Sequence, residues 1–165
     1  MSRLLAIDVG ERRIGLAVAD TRTAAVRPLS TIRRADHARD GAVLARVVAE
    51  HRIDELVVGL PLNMDGSEGR QATITREWAA AALAVVERPV CWRDERLTSE
   101  RAEGRAGRMG RGKAGGPPSA AARNAYRARI DQFAAADIAQ AELDARAATA
   151  AAAPARDAAR DAAKP

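Results

Sequence analysis

The chain has 165 residues, enough for one domain around one core, and its formal charge is +5. With an isoelectric point of about 10.5, that balance favours a polyanionic partner. A single cysteine, Cys91, excludes an intrachain disulfide and a zinc site built mainly from thiolates, and no apolar run is long enough to span a bilayer. The short apolar run Leu4 to Ile7 is interrupted by Asp8 and does not make a secretory leader, so a reduced, cytoplasmic compartment is expected.

Residues 3–9 (RLLAIDV) read as a central strand, apolar on both faces except at Asp8. A tight turn at Gly10 to Arg12 leads into a hairpin partner over 13–19. A third strand is expected over 26–32, pushed to an edge by Pro28. Val43, Leu44, Val47 and Val48 recur at helical spacing within 39–51. A buried strand follows over 55–61, then the loop NMDGSEGR, then a helix over roughly 70–87. Residues 89–93 make another short strand, with Asp94 and Glu95 at its end. A weak helix over 97–106 decays into a glycine-rich basic loop that reaches Pro118. Ser119 is placed to cap the last helix, about 119–145. The alanine and arginine repeats of 146–165 offer nothing to anchor a core and read as a disordered tail after a domain spanning 1–145. A three-strand meander followed by βα alternation predicts an α/β fold: a mixed five-stranded sheet with helices on both faces.

Acids at three places stand out: a strand, a strand end and a helix. A carboxylate at Asp8, inside an apolar strand, is costly unless it caps a turn, is paired or binds a metal. Asp94 and Glu95 either open a helix or line the carboxyl end of a parallel strand, where α/β sheets place ligands. Asp131 has Ala134, Ala135 and Ile138 on its own helix face, which should meet the sheet; Asp137 is its competitor. Three such acids would suit a hard divalent cation, Mg²⁺ or Mn²⁺, in contact with phosphate oxygens. Between residues 101 and 130, eight basic residues face one acid, Glu103, so this segment is expected to grip a phosphate backbone.

IDVGERRIGLAVAD, VVGLPLNMDGSEG, DERLTS and RIDQFAAADIAQ, in this order and spacing, resemble the YqgF family, also called RuvX, over about residues 3–145. The resemblance implies a ribonuclease H-like fold related to Holliday junction resolvases. It also implies a nuclease that matures the 5′ end of the small-subunit ribosomal RNA precursor. Position by position, it assigns the metal-binding acids to Asp8, Glu95 and Asp131 and gives a substrate-facing role to Asn63 and Asp65. Arg96, Arg105, Arg108 and Arg111 are the expected substrate-binding cations. Asp137 and Ala139 replace larger apolar residues of the family, which predicts loose packing of the last helix.

Three other readings compete. Asp8, Gly10 and Gly15 also fit the first hairpin of a sugar kinase or actin-like ATPase, but no second such hairpin is present to complete a nucleotide clamp. A resolvase acting on branched DNA and a non-catalytic RNA-binding assembly factor share the expected fold. A monomer is the default state.

Overall fold

A computed structural model describes residues 1–95, 104–107 and 117–162, with residues 153–162 as backbone alone. The chain forms β1 (Arg3–Val9), β2 (Arg13–Asp20), β3 (Ala25–Arg33), α1 (His37–His51), β4 (Glu55–Leu60), α2 (Arg70–Ala82) with a short 3₁₀ turn at Leu83–Val85, β5 (Val90–Asp94) and α3 (Ala120–Ala162). The sheet order is β3-β2-β1-β4-β5. The first three strands are antiparallel, whereas β4 runs parallel to both β1 and β5.

Alternation along β1 explains its unbroken apolar sequence. Leu5, Ile7 and Val9 enter one core with Leu44, Val48 and Trp78 from α1 and α2. Leu4 and Ala6 enter a second core with Ala135, Ile138 and Ala139 from α3. A strand covered on both faces carries apolar residues at consecutive positions. At the sheet edge, Pro28 lies opposite Ala17, beside a register shift between Leu16 and Ala17. There its missing N–H costs little.

On the first face, Asp36 caps α1 by accepting from the Arg39 N–H at 2.9 Å. Buried Asp40 accepts from Trp78 Nε1 at 3.0 Å and from the Ala35 N–H at 2.9 Å, tying α1 to α2. The helices cross closely at Gly41, where a Cβ would stand 2.4 Å from the Ala82 carbonyl oxygen.

On the other face, Ser119 caps α3 as expected, its Oγ accepting from the Ala122 N–H at 3.1 Å. The expected loose packing of α3 is not seen. Ala135, Ala136, Ile138 and Ala139 are fully buried against Ala6, Ala17 and Ala19. Small side chains on both surfaces let helix and sheet approach closely, so no large residue is needed. The helix also outruns its expected end near 145 and continues to Ala162. Leu143 is its last buried apolar residue, and residues 147–152 are exposed. Alanine, the strongest helix former, carries α3 through the exposed residues 147–152. The helix over 70–87 ends earlier than expected, at Ala82. Of the helix expected over 97–106, the described part is a single turn at residues 104–106; 97–103 lie outside the described residues.

Adding one methyl group separates crowded from open glycines. Gly41→Ala should destabilise the protein by about 1–3 kcal/mol through overpacking. Gly104→Ala, with nothing within 4 Å of its Cβ, should leave stability unchanged or slightly raised. Thermal melts of the two variants should separate them.

Candidate active site

The parallel strands β1, β4 and β5 end on the same edge of the sheet. Asp8 is the penultimate residue of β1, and Glu95 directly follows β5. Leu4, Ala6 and Asp8 share the face covered by α3. On β5, Arg93 also faces α3, where its guanidinium pairs with Glu142. Alternation puts Glu95 on that face too, and its N–H donates to the Leu60 carbonyl at 3.3 Å.

Two glycines make room for this arrangement. Asp8 lies across from Gly15 in the β1–β2 ladder. A Cβ on Gly15 would fall 2.0 Å from the Asp131 carbonyl oxygen, so α3 rests on bare backbone there. A Cβ on Gly59 would fall 2.3 Å from Glu95 Oε2 and 2.5 Å from Ile138 Cδ1. Asp8 and Asp131 are therefore brought together over one glycine, and Glu95 folds in over the other.

Charge follows from this geometry. Burial raises the Asp8 pKa from 3.8 to about 7, with the Asp131 charge adding to the effect. Burial likewise pushes Glu95 up to about 8, assisted by the charges of Asp8 and Asp94. Glu142, also buried, behaves in the opposite way. Burial pushes it up, but hydrogen bonds from Arg146 and Arg93 outweigh that and hold its pKa below the usual range. Glu142 is thus a structural acid with its own cations, and carboxylates are among the charges acting on Asp8 and Glu95.

Asp131 is shared differently. Its Oδ2 accepts from Arg13 Nε in a partly buried ion pair. Among the described residues, no three carboxylates stand within reach of one ion. Arg13 supplies Asp131 with a counter-charge.

The loop after β4 holds itself together. Asp65 Oδ1 accepts from the Ser67 N–H at 2.9 Å and from Ser67 Oγ at 2.6 Å. Asn63 Nδ2 donates to Ser67 Oγ at 2.9 Å, and Gly69 leaves space for the Asn63 side chain. Asn63 and Asp65 therefore shape an exposed loop that leaves the same sheet edge as Asp8 and Glu95. Arg105 pairs with Asp137 and lies over the Phe133 ring, 5.2 Å from its centroid. Arg96, Arg108 and Arg111 lie outside the described residues. Sequence reasoning passed over Arg13, Arg93 and the spacing role of Gly15 and Gly59. A glycine inside the hairpin strand that pairs with the one carrying the suspect acid was the available signal for Gly15.

A mixed five-stranded sheet with acids at the carboxyl ends of β1 and β5 and on the covering helix defines a ribonuclease H-like protein. The likeness extends to a solved RuvC of Thermus thermophilus in complex with a Holliday junction substrate, with a TM-score of 0.51 and 18% identity over 88% of this chain and 96% of that one. The chain belongs to the RuvX family, whose model, described as Holliday junction resolvase, matches residues 2–145. A relative from Anaeromyxobacter dehalogenans, named "Putative pre-16S rRNA nuclease", is 41% identical over 88% of this chain and 98% of its own length. One of the same name from Chloroflexus aggregans is 41% identical over 87% and 94%.

The raised pKa of Asp8 has a direct consequence for metal-free protein. Folding disfavours the ionised carboxylate, so stability is unaffected below about pH 4 and is lost as pH rises through about 7. Asp8→Asn should therefore melt above wild type in chelator at pH 8, by on the order of 1 kcal/mol or more, since one pKa unit is worth about 1.4 kcal/mol. The gap should close as pH falls toward 4. Equal melting at pH 8 would contradict a self-repelling pair.

Proposed function

We propose that this chain is a divalent-metal-dependent nuclease that hydrolyses phosphodiester bonds in 5′-end maturation of the 16S ribosomal RNA precursor. The observation that carries the reading is the placement of two half-buried carboxylates, Asp8 and Glu95, at the carboxyl ends of β1 and β5, with Asp131 on the helix that covers this face. Such a donor set fits a hard cation, because binding relieves the repulsion and uses oxygen ligands that Mg²⁺ or Mn²⁺ accepts. Asp8, Glu95 and Asp131 would hold it. When bound, the ion supplies activation of water and stabilisation of charge on the leaving oxygen.

The remaining work falls to the chain. Packing of α3 on β2 keeps Asp8 in a low-dielectric setting, where charge interactions are strong. Arg13 holds the Asp131 side chain, and the Arg93–Glu142 pair anchors β5 two residues before Glu95. Asn63 and Asp65 rigidify a substrate-facing loop. Arg96, Arg105, Arg108 and Arg111 supply phosphate contacts, and Arg105 itself is held against Asp137 and Phe133 of α3. The choice of ribosomal RNA rests on the names of the relatives, which are matched over nearly their whole length. That role places the protein in the cytoplasm, and the reading takes it as a monomer. No described helix is long and apolar enough to cross a membrane.

Wild type, Asp8→Asn and Glu95→Gln should be compared on a 16S precursor transcript and on a four-way DNA junction. In Mg²⁺ the wild type should cut the RNA. Both variants should lose about 100-fold or more, since even outer-shell partners of metal ligands cost roughly 10–100-fold. RNA binding in chelator should persist in both variants. Cleavage of the junction alone would make the protein a resolvase. Binding of RNA without cleavage of either substrate would make it an assembly factor.

A further inference from the structure

The cleft between β3 and the first turns of α3 carries a concentration of positive charge that the carboxylate site does not account for. It encloses about 420 Å³ and is lined by Arg12, Arg13, Thr31, Arg33, Asn124 and Arg127, with Ile32 and Ala128 completing the wall. No acid lines it. Arg13 pairs with Asp131, while Arg12, Arg33 and Arg127 are exposed and enter none of the ion pairs formed among the described residues. The wall is well built. Arg13 and Arg33 are direct partners in the β2–β3 ladder, and Thr31 Oγ1 donates to the Ala128 carbonyl of α3 at 2.8 Å.

Arginine abundance does not explain this. A second arginine-lined cleft, at the opposite end of β2, holds Arg3, Arg22 and Arg52 together with Asp20 and Asp54. There Asp54 Oδ2 accepts from the Arg3 N–H at 2.7 Å, and Asp20 Oδ1 from the Arg22 N–H at 2.8 Å. One cleft supplies its own anions; the other is lined by four arginines, of which Arg13 alone enters an ion pair among the described residues. Their mutual repulsion is relieved by an anion with several charges at fixed spacing, and the planar fork of arginine matches phosphate oxygens two at a time.

The cleft also points somewhere. Asn124, Arg127 and Asp131 follow one another at helical spacing on a single face of α3, so Asp131 lies one turn beyond Arg127. Arg13 belongs to the cleft and grips Asp131. We propose that this cleft is a phosphate-binding groove that seats the backbone of the RNA strand adjoining the bond to be cut. The proposal rests on the nuclease reading and adds the path of the substrate to it.

The test is RNA binding in chelator by Arg12→Ala/Arg33→Ala/Arg127→Ala, with Arg22→Ala/Arg52→Ala as the control from the balanced cleft. All five side chains are substantially exposed, so both variants should melt like wild type. The probe is a 5′-extended RNA hairpin, titrated over a series of salt concentrations. The triple variant should bind about tenfold or more weakly, with a salt slope shallower by about two to three, while the control matches wild type. A triple variant that binds with wild-type affinity and slope overturns the groove. So does an equal loss in both variants, which would report net charge alone. Wild-type cleavage is measured in parallel. Cleavage with unaltered binding by the triple variant overturns the groove and leaves the nuclease. Selective loss of binding without wild-type cleavage overturns the nuclease and leaves a groove for nucleic acid.

Discussion

The contact on which the rest depends is the seating of α3 on bare backbone at Gly15. A helix lies on a sheet at a distance set by the side chains between them, and here that spacer is absent. The Asp131 carbonyl sits where a Cβ of Gly15 would be. Because Asp8 is the cross-strand neighbour of Gly15, the same contact that docks the helix brings two carboxylates into one low-dielectric space. The alanines of α3 and of β1 and β2 extend this close approach along the helix.

Fold stability and site chemistry oppose each other at that point. Docking α3 buries apolar surface but also desolvates Asp8, and Glu95 is desolvated beneath Ile138. The protein handles its other buried acids differently. Asp40 receives an indole N–H and a backbone N–H, and Glu142 receives Arg93 and Arg146. Arg146 also bridges to Glu55 of β4 at 2.6 Å, so this far end of α3 is locked by a network of opposite charges. One end of the helix–sheet interface is neutralised by a network of arginines, and the other gathers three carboxylates, of which Asp131 is paired with Arg13. That asymmetry distinguishes a support from a site.

The positive charge is divided in the same way. Arg93 and Arg105 hold elements together through acids of α3, Arg146 joins α3 to Glu55 of β4, and Arg76 covers the Trp92 ring while pairing with Glu68. The arginines around the β3–α3 cleft, except Arg13, have no such task. A net charge of +5 is a property of the whole chain, but where the unpaired part of it lies is a property of the fold.

Much of this was legible in the residues. Apolar runs and their periodicity marked all five strands and the three helices, because burial imposes period 2 on strands and 3.6 on helices. Asp8 was visible as an acid with no place in a covered strand, and Asp131 as one on a helix face meant for a core. Helix ends were harder to read. Alanine continues a helix without needing a partner, so the end of α3 left no mark in the pattern. The motifs carried the family, but they could not say which acids have cations of their own. Asp131, Asp137 and Glu142 lie on the same helix, yet Arg13 takes the first, Arg105 the second and Arg93 the third, across separations that no local pattern records. The sequence by itself determined the layers, the strand identities and the kinds of residue available for chemistry, since these follow from local pattern. Tertiary structure alone decided which carboxylates share one desolvated space and which arginines stay unpaired, because solvation and Coulomb energy depend on distances between residues far apart in the chain.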